Sequence, residues 1–163
     1  WITPSPTPVE SFEWSDLEAD GWTDMGKALT TLAEEFSVER LGSRALPPVV
    51  VLLSDGMPTD EFKVGLEAFN RQPWSKKAIR LAMAIGSDAD HECLPQFLGS
   101  KSEYKPITVK TPETLAKCIK WASTVVVQQA TSPGSESTAE HRAEKLAVIG
   151  DLPVDDADED GVW

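Results

Sequence analysis

Cysteine is scarce in this chain. Only Cys93 and Cys118 occur among 163 residues, each in an apolar, helix-like setting. Neither has a CxxC partner or a neighbouring histidine pair, so a zinc site is not expected. Nothing demands a disulfide, and two buried thiols in a reducing compartment is the reading they support. The two histidines, His91 and His141, stand alone and read as solvated or capping residues. Long hydrophobic runs are missing too. The longest unbroken large-apolar stretch is the five residues Val49 to Leu53, far too short to span a membrane. The first residues carry no charged-then-apolar leader, so no signal peptide is read there. The chain opens on Trp1 rather than Met, which predicts a processed product, a trimmed chain or a fragment.

Positive charge is in short supply. Fifteen Lys and Arg stand against twenty-seven Asp and Glu, a net charge of −12. Nucleic acid and anionic membranes both need a basic face, so neither is an expected partner. The imbalance is uneven: residues 131–163 hold nine acidic and two basic side chains, a net of −7. Catalytic signatures are lacking as well. There is no GxxxxGK[ST], no GxGxxG after a strand, no GxSxG and no HExxH, and no internal repeat.

What is present suits one domain with a modest core, with 40% apolar residues over this length. Residues 1–22 read as an extended connector and a polar loop. "WITPSPTPVESFE" has three prolines in its first eight positions, which forbid a helix or a central strand. From Thr23 a helix begins. Met25, Ala28, Leu29, Leu32, Ala33 and Phe36 form one apolar stripe. Val49 to Leu53 is a β-branched and Leu run of the kind found in strands covered on both faces of a parallel sheet. Asp60 to Asn70 is read as a helix and Ile79 to Ile85 as a strand, whose alanines predict a helix packed close on one face. Residues 87–99 are read as a helix capped by Ser87 or Asp88, stopped at Gly99, and broken or kinked at Pro95. Tyr104 to Val109 is a short strand confined to an edge by Pro106. Thr111-Pro112-Glu113 opens a last helix with a cap, an early proline and an early acid. Its stripe is Leu115, Cys118, Ile119, Ala122 and Val126. Beyond residue 129 a linker precedes an acidic tail, with room for a short helix near 139–148 and a disordered end. Helices alternating with strands predict an α/β fold with a parallel sheet.

The stretch "VVVLLSDGMPTDE" delivers Asp55 just past the carboxyl end of a strand, where open parallel sheets bind ligands. Thr23, at the start of the preceding helix, is expected at the same rim. A hydroxyl and a carboxylate are hard oxygen donors, suited to Mg²⁺, Mn²⁺ or Ca²⁺, with Ser54 and Thr59 as outer supports. Bland alternatives stand beside this. Thr23 would also serve as a plain helix cap, although Gly26 occupies the place a capping box gives to Glu or Gln. Asp55-Gly56 would also serve as a plain turn. A phosphatase of the haloacid-dehalogenase type would want a second Asp at position 57, which is Met. A receiver-type phosphoacceptor would want an acidic cluster and a lysine across the rim that the sequence does not locate. Trp22, next to Thr23, is either packed over the helix or an aromatic contact beside the site.

"GWTDMGKALTTLAEEF" followed by "ALPPVVVLLSDGMPTDEF" closely resembles the von Willebrand factor A (VWA) family, most nearly its TerY-type members from bacterial tellurium resistance. "KKAIRLAMAIGSDADHECLPQFLG" and "TPETLAKCIKWASTVVV" continue the similarity over roughly residues 3–127. The resemblance implies a Rossmann-like sheet with helices on both faces and a non-enzymatic adaptor. It also implies a metal-ion-dependent adhesion site (MIDAS) to which a partner donates a carboxylate. Thr23 and Asp55 match the family's metal-binding Thr and final Asp. The family's Asp-x-Ser-x-Ser motif occurs nowhere in the sequence. The expectation is therefore the C-terminal portion of a VWA domain over 23–129, without its first strand, first helix and next two strands. Its cation would be bound weakly or not at all by this chain alone. The Val49–Leu53 strand would lack a neighbour, leaving an apolar edge that invites pairing. A cytoplasmic location and kinase or phosphatase partners follow from the same resemblance. The alternatives are a metal-independent structural scaffold domain and a phosphoacceptor or phosphatase-like α/β domain. The acidic tail is read as a solvating segment, or as a competitor for the cation site.

Overall fold

A computed structural model describes residues 7–13, 16, 21–86, 92–100, 102 and 104–131. After a 3₁₀ turn at Val9–Ser11, the elements are α1 (Met25–Glu35), α2 (Val38–Leu41), β1 (Val49–Ser54), α3 (Phe62–Arg71), β2 (Ile79–Ile85), α4 (Cys93–Leu98), β3 (Ile107–Val109) and α5 (Pro112–Thr131).

The strands form one parallel sheet in the order β1-β2-β3. Val49 pairs with Ile79 and Ser54 with Ala84, while Met83 pairs with Ile107 and Ile85 with Val109. The fold is thus α/β and Rossmann-like, as the alternation of elements predicts. The pleat sends alternate residues to opposite faces. Val50, Leu52, Ala82 and Ala84 join a core with Leu29 and Phe36 of the α1 side, Phe69 of α3 and Phe97 of α4. Val51, Leu81, Met83 and Val109 join Cys118 and Ala122 of α5 on the other face. Ala82 and Ala84 sit under the helices, as their small size predicts. Trp121 packs edge-on to Tyr104, with ring centroids 6.2 Å apart.

Several local readings need correction. The short helix α2 has no counterpart in the sequence reading. Ser37 Oγ accepts from Arg40 N at 3.3 Å to start it, and Gly42 at φ 77° stops it. Pro95 does not break α4, because the helix begins at Cys93. The proline therefore falls in the first turn, where a missing N–H costs nothing. Ile119 lies toward solvent rather than within the α5 stripe. Helix α5 continues to Thr131, two residues past the expected linker boundary. The capping candidates Ser87 and Asp88, the side chain of Val126, both histidines and the acidic tail lie outside the described residues.

The Thr111 cap forms as expected: its Oγ accepts from Thr114 N at 3.2 Å. Among the described residues β3 is an edge strand, as expected, but it spans Ile107–Val109 rather than Tyr104–Val109, so Pro106 precedes it. Among the described residues β1 is the other edge, and it is unlike β3. It has six residues and no charge, and Leu53 is 40% exposed. Natural edges are normally shortened or charged.

Candidate functional site

All three strands run the same way, so Ser54, Ile85 and Val109 end on one rim of the sheet. Helix α1 starts at this rim. Its cap residue is Asp24, so Thr23 is not the cap but the residue before it. The connection from β1 to α3, residues 55–61, crosses directly over the start of α1. A Cβ placed on Gly56 would lie 3.7 Å from Thr23 Oγ. The Thr23 hydroxyl thus borders the backbone next to Asp55. Thr23 is half-buried and Asp55 is exposed.

The connection is anchored at both ends. Ser54 is buried; its hydroxyl donates to Gly56 O at 2.9 Å and accepts from Gly56 N at 3.4 Å. This shapes the Asp55-Gly56 turn. At the far end Thr59 N donates to Thr23 O at 3.0 Å. Asp60 follows. Its Oδ1 accepts from Gly26 N at 2.8 Å and its Oδ2 from Lys27 N at 2.7 Å. The first amides of a helix have no partner within the helix, and a carboxylate there also opposes the positive end of its dipole. Asp24, which holds the cap position, makes no capping bond with its side chain. The sequence carries little sign of Asp60's role, because its amide partners are 33 and 34 residues distant.

Helix α3 is held against α1 by two glycines. A Cβ on Gly26 would lie 2.6 Å from Glu61 O, and one on Gly65 would collide with Gly26 O. No side chain larger than hydrogen fits either position without moving a backbone. The start of α1 is thereby fixed under the connection that carries Asp55.

Both oxygens of Asp60 are taken by amides, while among the described residues the Asp55 carboxylate makes no hydrogen bond or ion pair. Of these two acids, Asp55 is the one open to a ligand. Thr23 and Asp55 fit a hard divalent cation in donor chemistry, but two donors fall short of the about six such an ion takes. Among the described residues no group of three or more His, Cys, Asp or Glu side chains is placed to hold a metal. Water or another chain segment would have to supply the other ligands.

Two exposed apolar side chains flank the rim. Trp22 is 81% exposed and Met57 66% exposed. They adjoin Thr23 and Gly56 in sequence, the residues on either side of the rim. Trp22 is therefore not packed over the helix, the alternative that would have explained it away.

A parallel sheet with apolar cores on both of its faces and helices packed there defines a Rossmann-like α/β domain. The model of the von Willebrand factor type A domain matches residues 12–121, about two thirds of the chain, and the chain belongs to that family. VWA domains commonly mediate protein interactions. No curated protein and no solved structure shows significant similarity. No helix among the described residues is long and apolar enough to cross a membrane.

Proposed function

We propose that this chain is a non-enzymatic adaptor that binds a protein partner through a divalent cation held at the Thr23–Asp55 rim. One observation carries the reading: the Thr23 hydroxyl lies close to the turn that presents the Asp55 carboxylate, which is unpaired among the described residues. Thr23 and Asp55 would hold Mg²⁺, Mn²⁺ or Ca²⁺, and the cation would supply a positive centre for a partner's carboxylate. With two protein oxygens the chain alone binds the ion weakly. A further strand beside the β1 edge, which is unpaired among the described residues, is the natural source of additional ligands, in line with the Asp-x-Ser-x-Ser loop that the family resemblance implies. Trp22 and Met57 would add apolar contact around the ion. The TerY-type resemblance supports a cytoplasmic, tellurite- or stress-related role with a kinase or phosphatase partner.

The test is cation-dependent binding of candidate partners to the intact chain. Binding lost with a chelator and restored by Mg²⁺ or Mn²⁺, but not restored in Asp55→Asn, supports the proposal. Binding indifferent to chelator defeats it. The shortfall in donors favours one second reading, a scaffold domain that uses the same rim without an ion. For that reading, binding survives chelation but is weakened by Trp22→Ala.

A further inference from the structure

We infer that Asp60 is a positioning residue. Its carboxylate clamps the β1–α3 connection onto the start of α1 and so keeps Asp55 and Thr23 on one rim.

A carboxylate that only capped α1 would ordinarily sit at the cap position itself. Here that position holds Asp24, whose carboxylate lies 3.9 Å from Lys27 Nζ and makes no capping bond. The cap comes instead from the far end of the loop that carries Asp55. Both Asp60 oxygens are used, on consecutive amides at 2.8 and 2.7 Å, which fixes the direction of the carboxylate as well as its place. Charge-assisted bonds of this length are the stronger kind. The neighbouring Thr59 N–H adds a 3.0 Å bond to the carbonyl of Thr23. One pair of adjacent residues thus makes three bonds to residues 23–27. At the other end Ser54 holds Gly56. Between these anchors the chain is obliged to pass Asp55 and Gly56 beside the Thr23 hydroxyl.

If Asp60 were only a cap, a local cap on α1 would replace it. If it positions the rim, a local cap restores the helix but not the loop. That difference concerns loop geometry and stands apart from cation binding; the further link to binding rests on the Thr23–Asp55 reading above.

The experiment compares the full chain with Asp60→Ala, with Asp24→Ser, and with the two together, the serine introduced at position 24 serving as the local cap. Amide hydrogen exchange is followed at Gly26, Lys27 and Thr59 by NMR, and Mn²⁺ alone is titrated against the Gly56 amide signal. Asp60→Ala is expected to speed exchange at all three amides, by roughly tenfold or more for loss of one such clamp. Adding Asp24→Ser is expected to slow Gly26 and Lys27 again but leave Thr59 fast. In the same double variant the Mn²⁺ needed to halve the Gly56 signal stays several-fold higher than in the parent. The inference is overturned if Thr59 keeps its protection in Asp60→Ala, or if Asp24→Ser restores Thr59 together with the helix amides. If Mn²⁺ leaves the parent's Gly56 signal unchanged, the cation reading fails, while the Thr59 exchange still decides the role of Asp60.

Discussion

Gly26 of α1 and Gly65 of α3 meet backbone to backbone, and each is placed where a methyl group would strike the other segment's backbone. The contact lies directly below the rim, so the packing of two helices and the shape of the candidate site depend on the same pair. Overpacking a close contact costs about 1–3 kcal/mol. Gly26→Ala and Gly65→Ala are each expected to lower stability by about that amount, measured by urea unfolding. A helix-favouring gain in either variant would mean that α1 and α3 are further apart than described.

Arg80 predicts a second large effect. Its guanidinium donates to Phe97 O at 2.9 Å, to Asn70 Oδ1 at 2.8 Å and to Ser75 O at 3.2 Å. It also stacks 4.7 Å from the centroid of Phe69. Burial lowers its pKa from the ordinary value, so the charge is retained against desolvation by this set of acceptors. Removing the fork leaves half-buried carbonyls without a donor, at about 1–3 kcal/mol each. Arg80→Met should therefore destabilise strongly in thermal unfolding. Arg80→Lys should recover only part of the loss, because an ammonium lacks the planar fork.

Cys118 predicts a pH dependence. Burial raises its pKa above the ordinary 9.0. Above pH 9 the unfolded chain loses this proton while the folded chain keeps it, so the folded state binds more protons and stability falls as pH rises. Denaturation midpoints between about pH 8 and 10.5 are expected to decline less in Cys118→Ala than in the parent, whatever the variant's offset at neutral pH. Its thiol should react with a bulky disulfide reagent only on unfolding.

The β1 edge, unpaired among the described residues, predicts self-association. Unpaired apolar strands template pairing with other chains, and charge on such a strand prevents it. Leu53 is the exposed member of this strand. Leu53→Lys should reduce concentration-dependent assembly in sedimentation velocity while changing stability little. An equally monomeric parent would show that the β1 edge is covered.

Most of the fold was legible because its signals are local. The alternation in "IRLAMAI" marked both faces of β2, and the Thr111-Pro112 pair marked the start of α5. The short α2 escaped because four residues carry no periodicity. Pro95 misled because a proline inside a helix and one in its first turn differ only by where the helix begins. At the rim, the places of Thr23 and Asp55 at element ends were legible, while their role toward a cation is the proposal made above. Asp60 was not, since its partners are a helix and a strand away in sequence, and a carboxylate before a helix reads first as that helix's own cap. The Gly26–Gly65 contact was hidden for the same reason: a glycine in a helix gives no sign of which backbone approaches it.

A cation at the Thr23–Asp55 rim is tested most sharply by paramagnetic broadening of backbone amides by Mn²⁺, which registers even weak binding. Broadening is expected to centre on Thr23, Asp55 and Gly56, to be displaced by excess Mg²⁺ and to be lost in Asp55→Asn with the fold intact. Broadening centred on the acidic segment 131–163, or rim signals that Asp55→Asn leaves unchanged, would contradict it.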